Sequence, residues 1–198
     1  NNHDPGSAET ITFLCVGGEG PGFDKSVLVD SVHCSGDMLA VAERLHNDFD
    51  ADVRVLALEH RYYGKSYPKF GDESPVTIQN LKYLSSRQAL EDLAHFVSYM
   101  KSQQRGGKSS HGGNRVNSHD GYDDYDVPWV TFGGSYPGYL AGMARYKYPH
   151  LIYAAVSNSA PLHMIVDFPQ YQDKVGWDLK YAKIGGSDEC FRIVKDGH

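Results

Sequence analysis

Hydrophobic residues along this chain fall into short runs that alternate between two periodicities, with polar or glycine-rich stretches between them. Residues 11–16 are apolar and rich in β-formers, which predicts a strand, and Gly17-Gly18-Glu19-Gly20-Pro21-Gly22 ends it in a loop. In residues 38–49 the apolar positions Met38, Leu39, Val41, Ala42, Leu45 and Phe49 lie near one face of a helix. Residues 53–58 are a nearly continuous apolar run, the pattern of a strand buried on both sides. A loop rich in Tyr, Gly and Pro follows over 59–75. Ser85-Ser86-Arg87-Gln88 has capping-box spacing and predicts a helix over 86–103, with Leu90, Leu93, Ala94, Val97 and Met100 as its core face. Residues 103–126 are dominated by Gly, Ser, His, Asn and Asp, the composition of a disordered loop. His111 and His119 within it read as solvated side chains, not metal ligands. A strand beginning at Trp129, a helix over 139–148 ended by Pro149, and a strand over 152–156 complete the pattern. Strands alternating with helices predict an α/β fold with a parallel sheet covered on both faces.

Composition narrows the picture only slightly. A chain of 198 residues can bury a sizeable single core. Its formal net charge of −6 argues against nucleic acid or an anionic membrane as partner. No apolar run reaches the roughly 18 residues a membrane helix needs. No signal peptide is visible, but the chain opens on Asn1 with strand-forming residues soon after, so the start of the gene product is expected upstream. The cysteines are Cys15, Cys34 and Cys190, with no C-x-x-C pair. An odd count of this kind excludes a closed zinc site and a self-contained disulfide framework. Cys15 reads as a buried small hydrophobe. Cys190 could pair with a cysteine beyond His198. No metal or cofactor is expected.

The chemistry concentrates at Gly133-Gly134-Ser135-Tyr136-Pro137-Gly138. An apolar strand, Trp129-Val130-Thr131-Phe132, leads into it and a helical run leaves it, which is the layout of a nucleophile elbow. Ser135 is the candidate nucleophile. The oxyanion donors would be the N–H of Tyr136, the residue after it, and an N–H of the glycine-rich loop after an earlier strand, at Gly18 or Glu19. Tyr63-Gly64-Lys65-Ser66 resembles the end of a phosphate loop, but position 59 is Glu where that motif needs Gly, and Pro68 opposes a helix there. The glycines at 17–22 miss the dinucleotide spacing because residue 23 is Phe. Of the histidines after Ser135, His150 belongs at the far end of the elbow helix, His163 comes too early for a triad base, and His198 has no context. The chain therefore reads as a nucleophile without its base.

Leu58-Glu59-His60-Arg61-Tyr62-Tyr63-Gly64-Lys65-Ser66 resembles the E-H-R-Y-Y-G-x-S signature of the serine carboxypeptidase family that contains lysosomal Pro-Xaa carboxypeptidase, dipeptidyl peptidase II and thymus-specific serine protease. Leu84 to Asp92, the elbow, Lys147-Tyr148-Pro149-His150-Leu151 and Ser159-Ala160-Pro161 resemble further motifs of that family, in the same order. The resemblance implies a partial α/β-hydrolase domain over 9–165, with the start of a helical cap over 166–198. It implies a serine exopeptidase that cleaves beside proline through an acyl-enzyme on Ser135, with Asp and His beyond the cap, so that the chain is a fragment inactive alone. Proline-containing peptides are the expected partners, a homodimer the candidate assembly, and a lysosomal, vacuolar or secreted location the expectation. Glu59, His60 and Arg61 follow a strand end where ligands bind in such sheets, and a site-supporting role and a purely structural one both stand. The residues alone also leave open an esterase or lipase on the same fold and an inactive peptide-binding relative. Pro137 encourages the last of these: the family has glycine there, and proline disfavours helical geometry at Tyr136.

Overall fold

A computed structural model describes residues 10–31, 34–106 and 127–197. The chain divides into two compact units, Asn1–Pro161 and Leu162–His198. In the first, the elements run β1 (Thr10–Val16), α1 (Asp37–Phe49), β2 (Asp52–Leu58), α2 (Ile78–Leu81), α3 (Ser86–Gly106), β3 (Trp129–Gly134), α4 (Ser135–Lys147) and β4 (Ala154–Asn158). The second holds α5 (Pro169–Lys180) and α6 (Asp188–Asp196). Ser187 caps α6 by accepting the Cys190 N–H at 3.0 Å, and Gly176 of α5 lies against the Phe191 ring of α6.

The four strands are all parallel, in the order β2-β1-β3-β4. Alternating side chains of β1 build two cores. Leu14 and Val16 pack with Leu90, Leu93 and Val97 of α3, Leu140, Ala141 and Ala144 of α4, and Trp129. Phe13 and Cys15 pack on the other face with Met38 and Ala42 of α1 and with Phe132. Helices therefore cover both faces, as the alternating pattern predicts, because right-handed crossovers running in opposite directions from β1 and β3 place their helices on opposite sides. Thr131, buried in β3, donates its hydroxyl to the Ala141 carbonyl at 3.2 Å.

Several expectations need correction. Cys15 is fully buried but is no simple hydrophobe: it is bonded to Cys34, which ties β1 to the segment before α1. The odd cysteine count hid one local pair and left Cys190 free. The elbow helix starts at Ser135, four residues before the apolar pattern suggests, because its first turn consists of the glycine-lined turn itself. Ile152 is buried ahead of β4 and not within it. Val41 and Phe49 point away from the core of α1 and are exposed. β2 is only partly buried along its length, since it is an edge of the described sheet. Only half of the capping box forms: Ser85 Oγ accepts the Gln88 N–H at 3.3 Å, while the Gln88 side chain turns to Arg61. Helix α3 continues to Gly106, into the stretch expected to be disordered. The remainder of that stretch, 107–126 with His111 and His119, lies outside the described residues, as does His198.

Candidate active site

The connection leaving β1 runs toward β2, whereas that leaving β3 runs toward β4. The sheet thus reverses its winding between β1 and β3, and the crevice beyond the carboxyl ends of those two strands is where parallel sheets bind ligands. The residues singled out in the sequence lie around it. Ser135 follows β3 directly and opens α4. Its φ is +57°, a conformation that a non-glycine residue holds only when its surroundings enforce it. It is exposed. The first N–H groups of a helix have no partner within it, so the N–H of Tyr136 is available at the start of α4, where the helix dipole favours negative charge.

The glycine-rich loop meets this turn from β1. A Cβ on Gly18 would lie 2.4 Å from Pro137 Cγ and 3.3 Å from Tyr136 Cδ1, so only glycine lets the two loops touch. Gly133 is equally constrained, since a Cβ there would come within 2.2 Å of the Pro137 carbonyl oxygen. Pro137 fits within the helical first turn, and Tyr136 stays helical before it. The missing N–H costs nothing there, because a donor at that position has no intrahelical acceptor. Glu19 is exposed on the same loop, and its carboxylate acts electrostatically on both Tyr136 and His60.

Glu59, His60 and Arg61 leave the end of β2 and do three different things. Glu59 is a staple. One carboxylate oxygen accepts the Phe23 N–H at 2.7 Å, and the other accepts the Lys65 N–H at 2.9 Å and the Ser66 hydroxyl at 2.7 Å. Burial alone would raise its pKa, but these donors outweigh burial and hold the carboxyl below its ordinary range. Arg61 reaches α3, donating to both oxygens of Asp92 at 2.6 Å, to the Tyr83 carbonyl at 2.8 Å and to Gln88. The Asp92 hydrogen bonds push the guanidinium pKa up. The signal for this was present in sequence, because Gln88 and Asp92 lie one helical turn apart on one face. A cleft of about 500 Å³ opens beside this loop, with Arg61, Asp92, Tyr67, Phe70 and Tyr83 on its walls and without Ser135 among its lining residues.

His60 is buried and faces the elbow. Its Nδ1 lies 2.7 Å from the Arg61 carbonyl and its Nε2 3.1 Å from the Tyr136 hydroxyl. Burial pushes the imidazole pKa down and pushes the Tyr136 phenol up to about 12. Nothing in the sequence pattern connects these two side chains across 76 positions. His150 follows the far end of α4, about 20 Å from Ser135 at the helical rise per residue. Among the described residues, no histidine is hydrogen-bonded to Ser135.

A family model for serine carboxypeptidase S28 matches residues 2–198. The chain belongs to that family. It is 38% identical over 178 residues to the thymus-specific serine protease of Mus musculus, covering 90% of this chain and 28% of the relative. It is 42% identical over 140 residues to the thymus-specific serine protease of Homo sapiens, covering 71% of this chain and 23% of the relative. With the lysosomal Pro-X carboxypeptidase of Homo sapiens it shares 35% identity over 133 residues, 67% of this chain and 22% of the relative. The chain thus spans less than a third of the length of these curated relatives. In this S28 chain the parallel sheet, the helices on both faces and the strand-to-helix turn at Ser135 are those of an α/β-hydrolase-like core.

Proposed function

We propose that this chain carries the nucleophile of a serine exopeptidase that cleaves peptide bonds next to proline. Ser135 attacks the substrate carbonyl. The N–H groups of Tyr136 and of Glu19 or Gly18 hold the oxyanion. A His and an Asp from outside the described residues transfer the protons. The observation that carries this reading is the position of Ser135: exposed, at positive φ, at the start of a helix, in the crevice where the sheet reverses. Family membership supports peptide bonds as the substrate class, and the Pro-X carboxypeptidase relatives support proline. The Cys15–Cys34 bond supports an oxidising compartment, lysosomal or secreted. Residues 166–198, within the second compact unit, are read as the beginning of a helical cap.

Pro137 suggests an inactive relative, and a first helical turn that accommodates the proline favours the active reading over it. The full-length protein should be assayed against proline-containing peptides with free and blocked termini and against simple aryl esters. Release of a terminal residue or dipeptide beside proline is the expected result. Hydrolysis of esters without peptide turnover would instead place the protein among the esterases.

A further inference from the structure

We infer that His60 is a positioning residue for the reaction at Ser135, holding through the Tyr136 hydroxyl the backbone N–H that receives the oxyanion. The inference rests on the peptidase reading of Ser135 and adds to it a residue 75 positions upstream in the chain. A carbonyl only accepts, so the 2.7 Å contact to Arg61 puts the proton on His60 Nδ1. The neutral ring then offers its Nε2 lone pair, and the Tyr136 hydroxyl donates to it at 3.1 Å.

Tyr136 is held on other sides as well. Its ring meets the His60 ring edge-on at 5.5 Å and stacks on Tyr139 at 6.4 Å, and Gly18 lies beside it. Such fixation has a reason. Ser135 sits at a φ of +57°, and strained turns persist only where the surrounding structure over-determines them. The first turn of α4 cannot supply this itself, because its N–H groups have no intrahelical acceptors. His60 supplies it from β2, and it is braced in turn: Arg61, whose carbonyl orients the ring, is bonded through two nitrogens to Asp92 of α3.

The arrangement works only with neutral His60. Protonation would turn Nε2 into a donor and abolish the acceptor that Tyr136 uses. Burial and the Arg61 charge oppose protonation, the hydrogen bond to the Arg61 carbonyl and the charges of Asp92 and Glu19 favour it, and the rings of Tyr63 and Tyr136 pack against the imidazole. The balance lies on the neutral side, so the loss of function belongs at pH below the ordinary imidazole value of 6.5.

The test uses the full-length protein as wild type, Tyr136→Phe, His60→Leu, His60→Gln and the double variant Tyr136→Phe/His60→Leu. Fluorophosphonate labelling and steady-state kinetics on a proline-containing peptide are measured from pH 4 to 8, with a thermal melt of each variant. Tyr136→Phe and His60→Leu should each lower kcat about tenfold with KM unchanged, the loss of one hydrogen bond felt in the transition state. The double variant should be no slower than the slower single. His60→Gln, whose amide oxygen can accept from the hydroxyl, should recover most of the rate and remove the His60 part of the acid limb, leaving only that of the triad histidine. Tyr136→Phe removes a single oxygen atom and keeps the test readable if His60→Leu does not fold. An unchanged kcat in Tyr136→Phe, multiplied losses in the double variant, or a His60→Gln no faster than a folded His60→Leu would overturn the role of His60 while Ser135 still labels. Failure of the wild type to label at Ser135 would overturn the peptidase reading and this inference with it.

Discussion

Two turns leave the carboxyl ends of the strands that flank β1, and both bend through a non-glycine residue at positive φ: Tyr62 at +67° after β2 and Ser135 at +57° after β3. After β2 the turn is closed. Tyr62 is buried, its N–H donates to the Ser66 carbonyl at 2.9 Å, and its hydroxyl donates to the Asn80 carbonyl. Glu59 and Arg61 beside it fasten the turn to the β1 loop and to α3. After β3 the turn is open. Ser135 is exposed, and its hydroxyl makes no hydrogen bond among the described residues. The same backbone device serves opposite ends. Where internal hydrogen bonds saturate it, the strain only shapes a loop. Where the restraint comes from neighbours such as Gly18 and Tyr136, the strained residue is left exposed.

The two turns differ most in chemistry. In the full-length protein Ser135→Ala should lower turnover by roughly a million-fold, as removal of a triad serine does elsewhere, with a melting temperature close to wild type. Near-normal turnover would place the nucleophile elsewhere. The next effect is on stability, at the closed turn. A Cβ on Gly64 would come within 1.8 Å of Glu59 Oε1 and 2.6 Å of Gly22 Cα, at a φ of +52°. Gly64→Ala should therefore destabilise the protein by about 3 kcal/mol, read from urea unfolding.

A smaller and more diagnostic effect comes from placing glycine at each strained position. Ser135→Gly should abolish turnover yet stabilise the fold by about 1 kcal/mol, since only backbone strain is relieved at an exposed site. Tyr62→Gly should destabilise it, because a buried ring and its hydroxyl's hydrogen bond to the Asn80 carbonyl are lost with the strain. Equal signs for the two would end the distinction between an open and a closed turn. The smallest effect is the pH dependence of Glu59. Its carboxyl titrates below its ordinary value of 4.5 in the folded state, so its contribution is complete above that pH and is lost as pH falls through the folded value. Glu59→Gln should flatten the melting temperature between pH 5 and 3, and an unchanged slope would remove Glu59 from the account.

Much of this molecule was legible in its sequence because two local signals carry it. Short apolar runs rich in β-formers marked β1, β2 and β3, helical runs marked α1, α3 and the body of α4, and the glycine spacing marked the Ser135 turn. What escaped was non-local. Cys34 could not be matched with Cys15 from spacing alone, and the Tyr136–His60 bond joins side chains 76 positions apart. The displaced boundaries have local causes. Helix α4 begins inside its glycine turn, and Gln88 leaves its capping role because the Arg61 guanidinium offers a stronger, charged partner. Glu59, His60 and Arg61 were singled out together, but neighbours in sequence that leave a strand end diverge: two brace loops and one turns to the elbow.

Among the described residues, the readiness of Ser135 to react rests on its exposed, positive-φ place at the start of α4. It is tested most directly by treating the full-length protein with a fluorophosphonate probe and mapping the adduct by peptide mass spectrometry. A single adduct on Ser135 is expected, absent from Ser135→Ala and from protein unfolded in urea. An adduct on another serine, or labelling that survives Ser135→Ala, would contradict it.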